Sequence, residues 1–225
     1  MTGEILEIHK NYGKKSVLRG VSISAERGET VAIVGANGSG KSTLLRVLAG
    51  VLKPQGGRFL WDGTDLLRSR AALEQTVGYV PQGTPLIEEL SALDNLRLWY
   101  EKELLDASLQ GGMLRRLGIH EFLKTPASRL SGGMRKRLSI GCAISHDPQI
   151  LLLDEPTAAL DLAARERLLD YFASHRARGG MILLATHDLR ELETSSRCYL
   201  LSGGTAAPYA YDGDARRLAE TLERL

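Results

Sequence analysis

The residues with the clearest chemical meaning form a glycine-rich loop in the pattern G-x-x-x-x-G-K-[ST]. The eight residues are Gly35, Ala36, Asn37, Gly38, Ser39, Gly40, Lys41 and Ser42. Glycines let the backbone curl so that its N–H groups point at phosphate oxygens, and a following helix adds partial positive charge. In this pattern the lysine reaches the terminal phosphates and the hydroxyl binds Mg²⁺. The loop therefore predicts a nucleoside triphosphate site, with Lys41 on the phosphates and Ser42 on the metal.

The segments on either side of the loop are the ones that such a site requires. Residues 30–34 read Thr-Val-Ala-Ile-Val, a β-branched apolar run of buried-strand length. From Thr43 onwards, Leu44, Val47 and Leu48 recur on one helical face. The inner glycine pair lacks the third spaced glycine of a dinucleotide-binding fingerprint. The order strand, glycine turn, helix therefore favours a triphosphate loop over a turn that binds nothing.

Two further apolar strands are predicted to end in polar side chains. Residues 149–154 end in Asp154, which Glu155 follows, and residues 181–186 are followed by His187. Continuous apolar runs are typical of parallel strands that are covered on both faces. Adjacent carboxylates at such a strand end are costly to desolvate unless they meet a cation or a proton. Beside a phosphate loop, Asp154 is predicted to hold Mg²⁺ and Glu155 to act as the general base on the attacking water.

Three other positions have two interpretations when only the residues are considered. Tyr12, beside a glycine, could stack on a nucleotide base or lie on the surface of a hairpin turn. Gln82, at the end of a predicted strand, could contact a ligand or be an ordinary loop residue. Ser131 is a good N-cap, and Gly132 and Gly133 expose backbone N–H groups. This helix start could therefore bind a second anion or simply begin a helix.

Length and composition are those of a chain that can bury a core. The 225 residues are 43% hydrophobic, which suits one α/β domain with a subdomain. The net charge of +2 gives no case for nucleic acid as a partner. Cys142 and Cys198 lie in apolar surroundings without C-x-x-C spacing, which is typical of small buried residues in a reducing compartment.

The sequence shows no pattern for secretion or membrane insertion. Its first four residues, Met-Thr-Gly-Glu, are not a basic segment followed by an apolar one. No apolar run approaches the roughly 18 residues that span a bilayer. We therefore expect any role at a membrane to depend on a partner protein.

The order of the predicted elements suggests one domain over residues 1–225 with a helical insertion. Short strands come first, including one in which Ile5, Glu7 and His9 alternate with Leu6 and Ile8. From about residue 84 to residue 132 the pattern is typical of helices. One predicted helix is capped by Ser91 and extends to Trp99, and a second lies near residues 113–117. We expect this segment to be an inserted subdomain.

Taken together, these motifs resemble the ATPase subunits of ABC transporters over nearly the whole chain. The phosphate loop resembles Walker A, and residues 150–154 resemble Walker B, with Glu155 at the catalytic carboxylate. Residues 130–134 resemble the family signature, and residues 159–161 the D-loop. Met134 stands where glutamine is commonest and Ala159 where serine is usual. Neither departure removes a phosphate contact, so we expect hydrolysis to survive.

The resemblance also implies roles for the remaining candidates. Gln82 matches the Q-loop glutamine, which binds nucleotide and metal, His187 matches the switch histidine, and Tyr12 matches the aromatic residue that stacks on adenine. Lys41, Glu155 and His187 would then be the catalytic residues. The implied fold is an α/β P-loop NTPase core with an N-terminal antiparallel β-subdomain and an inserted helical subdomain.

For partners, the resemblance implies a second ATPase subunit and separate membrane-spanning subunits. In the family two ATPase domains pair head to tail, so Ser131, Gly132 and Gly133 would close over the ATP and Mg²⁺ of the partner. The γ-phosphate then bridges two surfaces, and its hydrolysis lets them separate. The chain would be bound peripherally at the cytoplasmic face of the membrane.

Export is favoured over import, and two other classes of protein stay open. Residues 85–91 and 134–138 resemble export-type ATPases whose membrane subunits are short and separately encoded. Soluble relatives that act on nucleic acid or ribosomes usually carry long coiled-coil insertions or two ATPase domains, for which 225 residues leave no room. A P-loop kinase or GTPase would lack the signature at Ser131 and the carboxylate pair at Asp154 and Glu155.

Overall fold

A computed structural model describes residues 2–224, which form two β-sheets with helices around them. The smaller sheet contains β1 (Thr2–Tyr12), β2 (Lys15–Glu26), β4 (Gly56–Trp61) and β5 (Thr64–Asp65). Its strands lie in the order β2-β1-β4-β5, and every pair is antiparallel. This sheet comes from the N-terminal part of the chain, where the antiparallel subdomain was expected.

The larger sheet carries the candidate residues. It contains β3 (Thr30–Val34), β6 (Val77–Val80), β7 (Ile150–Asp154), β8 (Met181–Ala185), β9 (Arg197–Ser202) and β10 (Thr205–Pro208). The order is β10-β9-β3-β8-β7-β6, and all neighbours are parallel except β10 and β9. Because the carboxyl ends of parallel strands meet at one edge, the segments that follow β3, β8, β7 and β6 lie side by side.

Some helices pack on the two faces of this sheet, and others lie in the segment between β6 and β7. The helices are α1 (Lys41–Leu48), α2 (Arg70–Thr76), α3 (Ala92–Arg97), α4 (Lys102–Gln110), α5 (Met113–Arg116), α6 (Gly132–Ala143), α7 (Leu162–Ala177), α8 (Leu189–Glu193) and α9 (Ala215–Glu223). Short 3₁₀ turns span Leu66–Arg68, Ile119–Glu121 and Ala127–Arg129.

The apolar runs of the central strands are explained by burial on both faces. Val31 and Ile33 of β3 pack in one cluster with α1 and the antiparallel sheet. Ala32 and Val34 point to the opposite cluster, which α3, α6 and α7 complete. Each buried aliphatic side chain contributes about 1.5–3 kcal/mol relative to exposure. The larger sheet is therefore a rigid platform for the residues at its edge.

The first strand departs from the predicted alternation. Ile5 and Ile8 are both buried, and the pairing register shifts between them. The cause is Glu7, whose φ of 50° places it in the left-handed region and makes a bulge. Simple alternation from Ile5 to His9 was therefore wrong, because one residue is taken up by the bulge.

The segment between β6 and β7 is helical, with differences of detail from the prediction. Ser91 caps α3 by accepting a hydrogen bond from the N–H of Asp94 at 3.1 Å. The helix ends at Arg97, so Leu98 and Trp99 lie beyond it. The sequence interpretation also missed α4, because its exposed positions are mostly polar. We propose that about residues 84–132 form a helical subdomain inserted in a single domain.

Candidate functional site

The glycine-rich loop leaves β3 and enters α1, as the motif requires. Gly40 has a φ of 111°, and a Cβ atom there would lie 3.1 Å from side-chain atoms of Val17 and Leu18. A Cβ atom on Gly35 would lie 2.5 Å from the carbonyl oxygen of Leu201. Gly40 is also the N-cap residue of α1, and it has no side chain to cap the first N–H groups of the helix. These groups are therefore free for an anion, which a helix N-terminus favours.

The side chain of Lys41 is folded into this loop. Its Nζ donates hydrogen bonds to the carbonyl oxygens of Gly35 at 2.6 Å and Ala36 at 3.2 Å. Burial lowers the pKa of Lys41, while the charges of Glu155 and Asp154 act in the opposite direction. The ammonium group therefore lies in the loop, within electrostatic reach of the two carboxylates, where the phosphates of a nucleotide would need a cation.

The carboxylate of Asp154 has the properties of a metal ligand. Its residue is only 2% exposed, and burial raises its pKa, while a hydrogen bond with Ser42 lowers it. Among the described residues, Oδ2 of Asp154 has no hydrogen-bond partner. A buried carboxylate oxygen without a donor is costly unless a cation meets it. Asp154 and the Ser42 hydroxyl therefore fit Mg²⁺, although residues 2–224 contain no group of three or more His, Cys, Asp or Glu side chains that could hold a metal ion.

Glu155 is held in an unusual backbone conformation at the end of β7. Its φ is 48°, and its N–H donates to the carbonyl oxygen of Ala185 at 2.9 Å. Such left-handed residues cost about 1–3 kcal/mol and often lie at functional sites. Nε2 of Gln82 donates to Oε2 of Glu155 at 3.1 Å. The structure therefore joins two candidates that are 73 residues apart in the sequence.

His187 follows β8, which lies in the sheet between β3, the strand before the phosphate loop, and β7, the strand before Glu155. Partial loss of solvent lowers the pKa of His187, the Lys41 ammonium lowers it further, and Glu155 raises it. The imidazole is therefore predominantly neutral near pH 7 and can both donate and accept a hydrogen bond. The next residue, Asp188, is the N-cap of α8, and its side chain accepts hydrogen bonds from the N–H groups of Arg190 and Glu191.

The structure places the tyrosine candidate at the end of β1, on an exposed turn. The ring of Tyr12 is exposed, and Nζ of Lys10 lies 5.5 Å from its centroid. The same hairpin continues into β2, whose residues Val17 and Leu18 pack near Gly40. Stacking on a base stays a prediction for Tyr12.

The signature residues lie at the start of α6, beside Ala159. Ser131 caps α6 by accepting a hydrogen bond from the N–H of Met134 at 3.3 Å. A Cβ atom on Gly133 would lie 2.8 Å from the carbonyl oxygen of Ala159, and the nearest atom to one on Gly132 also belongs to Ala159. The exposed Ser131 and Gly132 are thus available to a second molecule, as the head-to-tail hypothesis needs.

One charged residue of the site was missed by the sequence interpretation. Lys136 is buried, and its Nζ donates to the carbonyl oxygens of Pro81 at 3.0 Å and Asp154 at 3.1 Å. A signal was available, because Lys136 lies three and four residues before Ser139 and Ile140, which share the buried face of α6. A lysine on an apolar helix face indicates a buried cation.

The fold and this edge of the sheet define a P-loop nucleoside triphosphatase. A family model described as ABC transporter matches residues 18–158, more than half of the chain. The chain belongs to this family, as the ATP-binding subunit of an ABC transporter with ATPase activity. The predicted family, fold class and enzyme class are thereby confirmed.

Several ATP-binding proteins are similar in sequence. The lantibiotic transport protein SrtF of Streptococcus pyogenes is 30% identical over 99% of this chain and 94% of its own. The cytochrome c biogenesis export protein CcmA of Bradyrhizobium diazoefficiens is 40% identical over 80% of this chain and 91% of its own. The linearmycin resistance protein LnrL of Bacillus subtilis is 32% identical over 83% of this chain, which spans 61% of its length. A probable sulfate/thiosulfate import protein, CysA of Chlorella vulgaris, is 33% identical over 89% of this chain and 87% of its own.

Solved structures of ATP-binding cassettes share the fold. An ATP-binding subunit of an ABC transporter superposes with a TM-score of 0.88 at 27% identity, over 99% of this chain and all of the other. The cassette MJ0796, dimeric and bound to ADP and phosphate in a post-hydrolysis state, superposes with a TM-score of 0.79 at 26% identity, over 92% of this chain and 97% of the other. Across residues 2–224, no helix combines the length and apolar character needed to cross a membrane.

Proposed function

We propose that this chain powers export through separate membrane-spanning subunits, bound peripherally at the cytoplasmic face of the membrane. The observation that carries the proposed coupling to other subunits is the hydrogen bond from Gln82 to Glu155. Glu155 is the proposed general base, and Gln82 lies just before the helical insertion. This contact would couple movement of the insertion to the general base.

Lys41, Glu155 and His187 each have a distinct chemical role in the proposed hydrolysis. Lys41 binds the terminal phosphates, and Glu155 accepts the proton of the attacking water. The neutral imidazole of His187 donates a hydrogen bond to the γ-phosphate. Ser42, Asp154 and Gln82 would hold Mg²⁺, which when bound neutralises charge on the phosphate oxygens.

Nucleotide binding is assigned to the rest of the phosphate loop and to the partner's signature. The backbone N–H groups of residues 35–43 cradle the phosphates, and Tyr12 stacks on adenine. In a head-to-tail dimer, Ser131, Gly132 and Gly133 of one chain close over the nucleotide of the other. Support comes from the exposure of Ser131 and Gly132 and from the dimeric cassette MJ0796.

An apolar groove beside the insertion is the proposed contact with the membrane-spanning subunit. Its volume is about 760 Å³, and its walls include Val51, Tyr79, Leu86, Leu98, Trp99 and Cys142. Trp99 is 63% exposed, an unusual state for a large aromatic side chain unless a partner covers it. Pro81, next to Gln82, also lines the groove. A cytoplasmic segment of the membrane subunit in this groove would therefore contact the Q-loop.

Replacement of Trp99 by serine is expected to weaken binding of the membrane subunit by at least about tenfold, or ~1.4 kcal/mol. The physical reason is the loss of an aromatic anchor in an apolar groove. Affinity is measured by titrating the purified chain onto its co-purified membrane subunit in lipid nanodiscs. ATP affinity is expected to be unchanged.

The matched control is Leu104→Ser, since Leu104 is similarly exposed but is not part of the groove. Equal binding by the Trp99 variant and the wild type would refute the groove. Co-purification of nucleic acid without any membrane protein would instead support a soluble ABC ATPase.

The proposed direction rests on the relatives and on residues 85–91 and 134–138. CcmA is described as an export protein, whereas CysA is described as a probable import protein. Inverted membrane vesicles with ATP outside are expected to accumulate the cargo of the membrane subunit. A partner that requires an external substrate-binding protein would overturn this proposal in favour of import.

The head-to-tail arrangement predicts complementation between two inactive variants. Lys41→Ala weakens nucleotide binding at the phosphate loop and removes a proposed catalytic group, and Ser131→Arg blocks closure over the partner's nucleotide. A mixed dimer has one site with both defects and one intact site. An equal mixture is therefore expected to recover roughly a quarter of wild-type turnover, since half of the dimers are mixed.

Turnover is measured by phosphate release before and after mixing. Ser131→Arg also removes the N-cap of α6, the hydrogen bond that the Ser131 hydroxyl accepts from the N–H of Met134. The thermal unfolding of this variant is therefore compared with that of the wild type. A mixture that stays as inactive as its components would contradict the shared site.

A further inference from the structure

Lys136 connects three parts of the site through one ammonium group. It projects from α6, the helix that begins at the signature, and its residue is 3% exposed. Its two acceptors are the carbonyl oxygens of Pro81 and Asp154. Each acceptor residue immediately precedes a proposed functional residue, Gln82 in one case and Glu155 in the other. The ammonium group thus holds the two backbone segments from which these side chains project.

Stability alone does not account for a lysine at this position. Burial of an ammonium group is costly, and burial lowers the pKa of Lys136, although the charges of Asp154, Glu155 and Glu191 oppose this shift. Apolar side chains of similar volume often replace buried charges without loss of stability. A methionine would fill the same space without the desolvation cost. The specific contribution of the lysine is its pair of directed hydrogen bonds.

The neighbouring residue on α6 makes a different set of contacts. Arg135 pairs with Glu88 through two nitrogens, donates to the hydroxyl of Thr84 at 3.2 Å, and donates to the carbonyl oxygen of Ala127 at 2.9 Å. All of these partners lie within the helical insertion. Lys136 differs because one of its two bonds reaches β7, in the sheet. Its other acceptor, Pro81, directly follows β6, so Lys136 links the ends of two neighbouring strands, next to Gln82 and the proposed general base, to the signature helix.

We propose that Lys136 is a positioning residue for hydrolysis, which sets the separation of Gln82 and Glu155 and ties both to the signature helix. This rests on the proposed roles of those two residues. Misplacement of a reacting group by about 1 Å can cost about a hundredfold in rate. Loss of either hydrogen bond releases one of the two backbone segments.

The test measures kcat and KM for ATP in the full chain. Lys136→Met is expected to lower kcat by about tenfold or more while KM changes by less than about twofold, because the phosphate loop is untouched. Lys136→Arg, which keeps charged donors of similar reach, is expected to recover part of kcat. The matched control is Lys102→Met, an exposed lysine at the start of α4, and it is expected to keep wild-type kcat.

A structural role is separated from a positioning role by thermal unfolding and by a double-variant cycle. If Lys136 acts through Gln82, the loss of kcat in Lys136→Met with Gln82→Ala is smaller than the product of the two single losses. The proposal is overturned if Lys136→Met leaves kcat unchanged, or if the effects of Lys136→Met and Gln82→Ala on kcat are independent. It is also overturned if Lys136→Met raises KM and lowers the melting temperature together, which indicates a structural role. Normal turnover in Glu155→Gln would refute the proposed general base, whereas normal turnover only in Lys136→Met would refute this inference alone.

Discussion

Replacement of Glu155 by glutamine is expected to abolish ATP turnover while ATP still binds. A glutamine side chain has nearly the same shape, and its oxygen can still accept the hydrogen bond from Gln82. It has no basic oxygen that could take a proton from the attacking water. Loss of a general base typically costs 10²–10⁴ in rate, so we expect kcat to fall by at least about a hundredfold.

The same variant is expected to be trapped as a dimer in the presence of Mg²⁺ and ATP. The γ-phosphate bridges the phosphate loop of one chain and the signature of the other, and without hydrolysis the bridge is not removed. ATP can favour the closed dimer only by the amount that it binds this state better. Phosphate release gives kcat, a nucleotide titration gives affinity, and light scattering gives the mass of the complex.

The control for this prediction is Glu103→Gln, in the exposed first turn of α4. It removes the same charge at a distance from the proposed site and should leave kcat and mass unchanged. Unchanged turnover in the Glu155 variant would refute its assignment as the general base. If the Glu155→Gln variant binds ATP normally, does not turn over and stays monomeric, the general base is supported but the nucleotide shared between two chains is refuted.

Features that depend on local sequence could be predicted from the chain alone. The loop at residues 35–42 needs only a strand, a glycine turn and a helix, which are adjacent in the sequence. The strand that ends at Asp154 was recognisable because its residues are buried on both faces and leave a continuous apolar run. Local propensity and burial agreed at these positions, so the pattern was informative.

Features that depend on distant parts of the chain could not be predicted in the same way. Lys136 bonds to Pro81, 55 residues earlier, and nothing in the pattern near either residue indicates this contact. The bulge at Glu7 forms where Gly57 lets two backbones approach closely, since a Cβ atom there would lie 2.5 Å from the carbonyl oxygen of Glu7. Periodicity within one strand carries no information about its neighbour.

Replacement of Lys41 by alanine is expected to weaken ATP binding by at least about tenfold, or ~1.4 kcal/mol. Lys41 as a residue is only 8% exposed, and its ammonium group is held by the loop, so its interaction with a phosphate is less screened by solvent than at the surface. Because the lysine contacts the terminal phosphates, the loss should be large for ATP and small for AMP. Affinities for the two nucleotides are measured by titration with Mg²⁺ present.

The comparison of ATP with AMP separates loss of a phosphate contact from collapse of the loop. Lys41 also bonds to the carbonyl oxygens of Gly35 and Ala36, so its removal could relax the loop itself. A relaxed loop would weaken the binding of ATP and of AMP in proportion, whereas a missing cation would weaken chiefly the binding of ATP. The control Lys124→Ala, at an exposed lysine of the insertion, should bind both as the wild type does. Equal ATP affinity in Lys41→Ala and wild type would reject the assignment of the loop as the phosphate site.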